Sequence, residues 1–207
     1  MTNLRAIETS YAGCHFRSRI EARWAVFFDR LGIEWEHESQ GYRSAFEVGP
    51  ETRRINYLPD FHLPKLDLYI EVKPAMPDHV DPEGVKRWQH FAGTVAMDWE
   101  RGRTAMFCGP IPNPDTVDCY GPPRAHEWYE QTVVMLGDWH AAWCVCPAGL
   151  HYDIQFQARG GRIHCGCPRI QDDRAYLTGN DPRILAAYRA ARSARFEHGA
   201  QDAQRAA

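Results

Sequence analysis

The chain of 207 residues has no long apolar run and no charged N-terminal segment leading into one. The sequence therefore predicts neither a membrane span nor a secretory signal, and a cytoplasmic location. Positive charge is not in excess: 24 Lys and Arg against 27 Asp and Glu leave a net charge of −3. That excludes a broadly basic nucleic-acid coat, while local electropositive tracks remain open. Internal repeats and low-complexity tracts are absent, and no Ser/His/Asp or Cys/His grouping has the context of a nucleophilic triad. What is present is 44% hydrophobic residues, enough for one medium-sized domain with an appendage. Seven cysteines in a chain without a secretion signal favour free thiols or a metal over disulfides.

The densest chemistry lies in Tyr57-Leu58-Pro59-Asp60, followed after a short apolar run by Ile70-Glu71-Val72-Lys73. Residues Leu66 to Lys73 alternate, so Leu68, Ile70 and Val72 face one way and Asp67, Tyr69, Glu71 and Lys73 the other. Glu71 and Lys73 then share a face, roughly 7 Å apart at Cα. Arg54 to Leu63, rich in Ile, Tyr and Phe, reads as the preceding strand, and Pro64-Lys65 as the turn that closes a hairpin. Pro59 suits an edge or bulge, where no ladder N–H is needed, and a bulge can re-aim the next side chain. Asp60 is thereby expected to face Glu71.

Upstream, Ser18-Arg19-Ile20-Glu21 has the form of a capping box. The helix it opens carries Ile20, Trp24, Phe27, Phe28 and Leu31 on one face and stops at Gly32. Glu21 has two readings. It caps the helix by reaching back to the Ser18 N–H, or it borders the buried face as a carboxylate needing a metal or lysine partner. Further elements are a strand over Ile33 to Glu38 with one wet face and a short apolar strand over Thr104 to Cys108. Between them, a helix opened by Asp81-Pro82-Glu83 carries Val85, Trp88, Gln89 and Phe91.

Helix-borne Glu21, then Pro59-Asp60, then Glu71-x-Lys73 resembles the signature of the PD-(D/E)xK nuclease superfamily. The flanking Phe16-Arg17-Ser18-Arg19-Ile20-Glu21-Ala22-Arg23-Trp24 and Tyr57-Leu58-Pro59-Asp60-Phe61 resemble small phage and prophage endonucleases. The resemblance spans about Tyr11 to Pro112, and the short motifs alone recur by chance. It implies an α/β, restriction-endonuclease-like mixed β-sheet flanked by helices. It also implies Mg- or Mn-dependent hydrolysis of DNA phosphodiesters, with Glu21, Asp60, Glu71 and Lys73 as the catalytic set. Asp60, Glu71 and the Val72 carbonyl would hold the ion, Glu21 would complete a second shell, and Lys73 would orient water. Lys86 or Gln89 could add a polar group, though a solvated helix side chain is the plainer account of either.

The rest of the chain divides in this reading into a core over 1–112, a proline-rich linker over 113–125 and a cysteine-rich unit over 126–207 ending in a helix. Cys144-Val145-Cys146 and Cys165-Gly166-Cys167 could surround one structural zinc. One intervening residue is fewer than zinc knuckles ordinarily use, and His151 or His164 could replace a cysteine, or all four could be free thiols. Metal analysis of the purified protein separates these, since sub-stoichiometric zinc would remove the site. Candidate nucleic-acid contacts are Arg17, Arg19, Arg54, Lys86, Arg189 and Arg192, the last two on a helix begun by Asn180-Asp181-Pro182. Three functions follow: a DNA endonuclease, structure-selective or nicking, for which a homodimer would let two sites cut two strands; a non-cutting DNA-binding or assembly module on the same fold; or an RNase or exonuclease.

Overall fold

In the structure, a computed structural model, residues 7–48, 51–73, 87, 90–91, 104–114, 132–134, 139–146, 151–156, 162–163 and 181–196 are described. Two short strands, β1 (Thr9–Tyr11) and β2 (Cys14–Phe16), pair antiparallel and lead into helix α1 (Arg19–Leu31). Ser18 caps α1, and Gly32 ends it with φ of 64°, donating its N–H back to Asp29 and Phe28. The left-handed turn is one glycine adopts without steric cost. There follow β3 (Glu36–His37), β4 (Tyr42–Val48), β5 (Glu51–Tyr57), β6 (Phe61–Leu63), β7 (Leu68–Val72) and β8 (Thr104–Cys108). Beyond these come β9 (Thr132–Val134), β10 (Trp139–Val145), β11 (Tyr152–Phe156), β12 (Arg162–Ile163) and helix α2 (Pro182–Ser193).

Eight of these strands form one mixed sheet in the order β12-β11-β10-β9-β8-β7-β6-β3. Its β7–β8 pair is parallel and its other pairs are antiparallel. The predicted hairpin is present: β6 and β7 pair Phe61↔Ile70, His62↔Tyr69 and Leu63↔Leu68 around a 3-10 turn at Pro64–Leu66. The predicted strand over Arg54 to Leu63 is not continuous. It breaks at Leu58-Pro59-Asp60, and β5 leaves the large sheet to pair with β4 in a separate two-stranded ribbon. Pro59, with no N–H to donate, stands at the break. The strand over Ile33 to Glu38 shrinks to Glu36–His37, and Glu38 ends it by turning into the left-handed region at φ 46°.

The core is aromatic. Phe27 and Phe28 of α1 pack on Trp143 of β10 at 5.7 and 5.6 Å between ring centroids. Phe28 also meets Phe61 at 5.5 Å, and Phe27 stacks on Tyr188 of α2 at 4.6 Å. Leu68, Ile70, Val72 and Met106 are buried on that same side. The opposite side of β7 is covered where helical Phe91 meets Tyr69 at 5.6 Å. Thus β7 is buried on both faces, as all five of its residues show. The sheet bridges the proline-rich stretch, since β9 pairs with β8 and Trp143, Ile154 and Tyr188 share one core with α1. The other residues predicted for the helix after Asp81, including Lys86 and Gln89, lie outside the described residues. No helix among the described residues is long and apolar enough to cross a membrane.

Candidate active site

Three segments meet at one end of the large sheet: the N-terminus of α1, the link through Asp60 into β6, and the end of β7. Asp60 is 4% exposed, a costly position for a carboxylate unless it is paired. Its Oδ2 accepts the Val72 N–H at 2.7 Å, and its Oδ1 accepts from Arg17 Nη2 at 3.2 Å. Burial first, and the neighbouring Glu71 charge second, push the Asp60 carboxyl well above the ordinary aspartate range, and the Val72 amide only partly opposes them. Asp60 and Glu71 therefore lie in each other's field, as the hairpin register requires.

Glu71 is equally buried, at 6%. Its Oε1 meets Lys73 Nζ at 2.6 Å, while its Oε2 is buried and has no hydrogen bond of ordinary geometry among the described residues. The Tyr57 hydroxyl lies against the same carboxylate; burial and then Glu71 hold that phenol far above its usual range. Lys73 is anchored through its backbone, N–H to the Cys108 carbonyl at 2.9 Å, and keeps its side chain 25% exposed at the rim. The i, i+2 spacing on a strand thus delivers the Glu71–Lys73 pair expected from the alternation.

Glu21 is held differently from expectation. Its carboxylate does not reach the Ser18 N–H; it accepts the Ser18 hydroxyl at 2.6 Å and the Arg17 N–H at 3.2 Å, while Ser18 Oγ accepts from the Glu21 N–H. His37 Nε2 stands 3.6 Å from Glu21 Oε2. Burial would raise this carboxyl, but the hydrogen bonds from His37 and Ser18 and the Arg17 charge outweigh it and leave Glu21 below the usual range. Glu21 thus sits at the cap through the Ser18 hydroxyl and the Arg17 N–H rather than the Ser18 N–H, and its link to the other acids runs through Arg17 and the field it adds at Asp60.

Arg17, His37, Glu38 and Tyr57 complete the cluster, none of them predicted as part of it. The Arg17 guanidinium pairs with both Glu38 and Asp60. Although burial works the other way, Glu38, Asp60, Glu21 and Glu71 together raise its pKa. The Glu38 N–H donates to the Asp60 carbonyl at 3.1 Å, so the left-handed turn at Glu38 aims its carboxylate at Arg17 while its backbone steadies Asp60. His37 packs at a tilt on Phe16 at 4.3 Å and edge-on to Phe61 at 5.5 Å, its side chain 6% exposed. The one signal for it was its place on the apolar side of the Ile33-Trp35-His37 alternation.

Four carboxylates, Glu21, Glu38, Asp60 and Glu71, thus surround two cations, Arg17 and Lys73. Among the described residues no group of three or more His, Cys, Asp or Glu side chains stands in metal-holding geometry. The chemistry of the donor set nevertheless fits a hard divalent cation: Asp60 and Glu71 are oxygen donors, buried and mutually repelling.

The remaining predicted residues are dispersed. Arg19, Arg54 and Arg189 are exposed, and Arg192 donates from Nη1 to the Ile111 carbonyl at 2.9 Å. Lys86 lies outside the described residues, as do Cys165 and Cys167. Cys144 of β10 and Cys146 just beyond it are fully buried; Cys144 stands opposite the fully buried Asp153, whose Oδ2 is 3.6 Å from His151 Nε2. No protein-family model, no curated protein and no solved structure matches this chain.

Proposed function

We propose that the protein is a metal-dependent DNA endonuclease that hydrolyses phosphodiester bonds on a restriction-endonuclease-like fold. The observation that carries this reading is the pairing of two buried, mutually repelling carboxylates, Asp60 and Glu71, with a lysine bonded to the second. Stability alone is a poor reason for such a group, since like charges buried together are expensive.

In this reading Asp60 and Glu71 would hold Mg²⁺ or Mn²⁺ with the Val72 carbonyl, and Glu21 would act in an outer shell through Arg17. Such an ion supplies charge to offset the scissile phosphate and lowers the pKa of a bound water. The Val72 N–H fixes the Asp60 carboxylate so that its orientation does not depend on solvent. Lys73, at the rim and tethered to Glu71 Oε1, donates a hydrogen bond to the attacking water and orients it toward phosphorus. Arg17, 63% exposed along its side chain, can turn from Asp60 to a phosphate oxygen while Glu38 keeps it in place. A structural zinc on Cys144, Cys146, Cys165 and Cys167 belongs to the same proposal.

A second reading, a nuclease fold that binds DNA without cutting it, draws on the fact that Arg17 and Lys73 already neutralise much of the acidic pair. Incubation with linear, nicked, branched and single-stranded DNA in magnesium or manganese separates the two. The endonuclease reading expects divalent-dependent cleavage that Asp60→Ala or Lys73→Ala abolishes in proteins that still unfold cooperatively. Cleavage retained by either variant, or none by the parent protein, counts against it.

A further inference from the structure

The ribbon formed by β4 and β5 stands outside the eight-stranded sheet and runs directly into the candidate site, since β5 ends at Tyr57 and Asp60 follows three residues later. Seven residues of strand extend about 23 Å, a length the fold does not need for its core. The register fixes its two faces. Tyr42 opposite Tyr57 and Ser44 opposite Ile55 lie on one face; Arg43 opposite Asn56 and Ala45 opposite Arg54 lie on the other.

The first face is anchored. Ile55 is buried, and Tyr42 and Tyr57 pack on Phe91 at 5.0 Å each. The Tyr42 hydroxyl lies 2.6 Å from that of Tyr69 on β7. The second face is open: Arg43, Ala45, Thr52, Arg54 and Asn56 are all exposed. Arg43 and Arg54 are diagonal neighbours across the strands, about 7–8 Å apart at Cα. Neither forms an ion pair among the described residues. Arg43 Nε donates to Asn56 Oδ1 at 3.2 Å, which orients the guanidinium and leaves its two terminal nitrogens for another acceptor. At the root of the ribbon lies a cleft of about 580 Å³ lined by Gly41, Tyr42, Arg43, Asn56, Tyr57 and Leu58, of which Leu58 is 38% exposed and Tyr57 has its hydroxyl against Glu71.

We propose that the Arg43–Arg54–Asn56 face of this ribbon is a docking surface for the phosphate backbone of duplex DNA, holding the strand that enters the Asp60–Glu71 site. Charge complementarity selects the occupant. The chain is acidic overall, yet this face presents two arginines without carboxylate partners among the described residues, on an anchored ribbon that ends three residues before Asp60. A two-stranded ribbon is also an element that duplex grooves admit. The inference deepens the endonuclease reading and rests on it for the position of the cut phosphate.

The test is a salt titration of duplex binding by the full chain in EDTA, followed by fluorescence anisotropy of a labelled 20-base-pair duplex. Each lost phosphate contact removes about 0.9 from the slope of log K against log salt. Arg43→Ala/Arg54→Ala is expected to lower the slope by roughly 1.8 and weaken binding about tenfold or more at low salt, on the counterion-release account. Arg43→Lys/Arg54→Lys keeps the slope, because a point charge serves a phosphate. Both residues are exposed, so the variants should unfold at the parent's temperature; single Arg43→Gln and Arg54→Gln variants, each losing about 0.9, cover a double variant that does not fold. An unchanged slope, or a parent protein that binds no duplex, overturns the proposal. Binding that follows the prediction without cleavage in magnesium or manganese would sink the endonuclease reading and leave this surface standing; cleavage with an unchanged slope would do the reverse.

Discussion

Asp60 concentrates the physics of single residues in this protein. It is buried beside a second carboxylate, and what keeps that tolerable is one amide from Val72 and one guanidinium from Arg17. Removing the guanidinium leaves a buried carboxylate short of a partner, which costs about 1–3 kcal/mol for a hydrogen-bonded group. Arg17→Ala is therefore expected to lower unfolding stability at pH 7 by about 1–2 kcal/mol, the lower half of that range because Arg17 is largely exposed. Chemical denaturation reads this directly, and an unchanged midpoint would show that the ion pair contributes nothing. The Asp60–Glu71 and Glu71–Lys73 relations could be read from the sequence, because the strand period of two and a short turn leave little freedom. The role of Arg17 could not. It stands 43 positions from Asp60, and only the docking of the α1 N-terminus against β6 brings them together.

At the scale of elements, α1 was legible from Ser18 to Gly32, since cap, apolar stripe and glycine stop all agree with the structure. The ribbon was not. Tyr42, Ser44, Phe46 and Val48 alternate, and Gly49-Pro50 marks a turn, but one long strand from Arg54 to Leu63 accounted for the downstream half as well. Pro59 decided between them, and its effect depends on which neighbour claims the strand edge. Helix α2 supplies a separate test. Asp181 caps it, accepting the Arg183 N–H at 2.8 Å and the Arg183 side chain at 2.9 Å. The hydrogen bonds from the Arg183 side chain, above all, hold Asp181 below the ordinary aspartate range. A carboxyl depressed in the folded state contributes stability above its unfolded value of about 4. That contribution is lost as pH falls through the lowered folded value. Asp181→Ala is expected to cost about 1 kcal/mol at pH 7, with the difference from the parent shrinking towards pH 2. A difference that stayed constant with pH would argue that the ionised cap is not its source.

The whole molecule is organised by one sheet. Read as sequence, the residues after the proline-rich stretch form a separate unit; in the structure β9–β12 extend the sheet beyond β8, and Trp143 and Tyr188 fill the space under α1. Such long-range pairing leaves no local pattern, because each strand alone looks the same whichever partner it finds. The consequence is mechanical: the chain cut after residue 125 would lose Trp143 and Tyr188, which pack on Phe27 and Phe28, and should show no cooperative unfolding transition, whereas a sharp transition would show that the first half folds by itself. The candidate site lies at the end of that sheet, so its geometry is a property of the complete fold. What unites the scales is a demand for positive charge between Asp60 and Glu71 that protein groups meet only in part. Calorimetric titration of Mn²⁺ into the intact protein and into Glu71→Gln measures that demand. The account predicts near-stoichiometric binding by the parent and at least a tenfold loss in the variant; no binding by the parent, or identical isotherms, would contradict it.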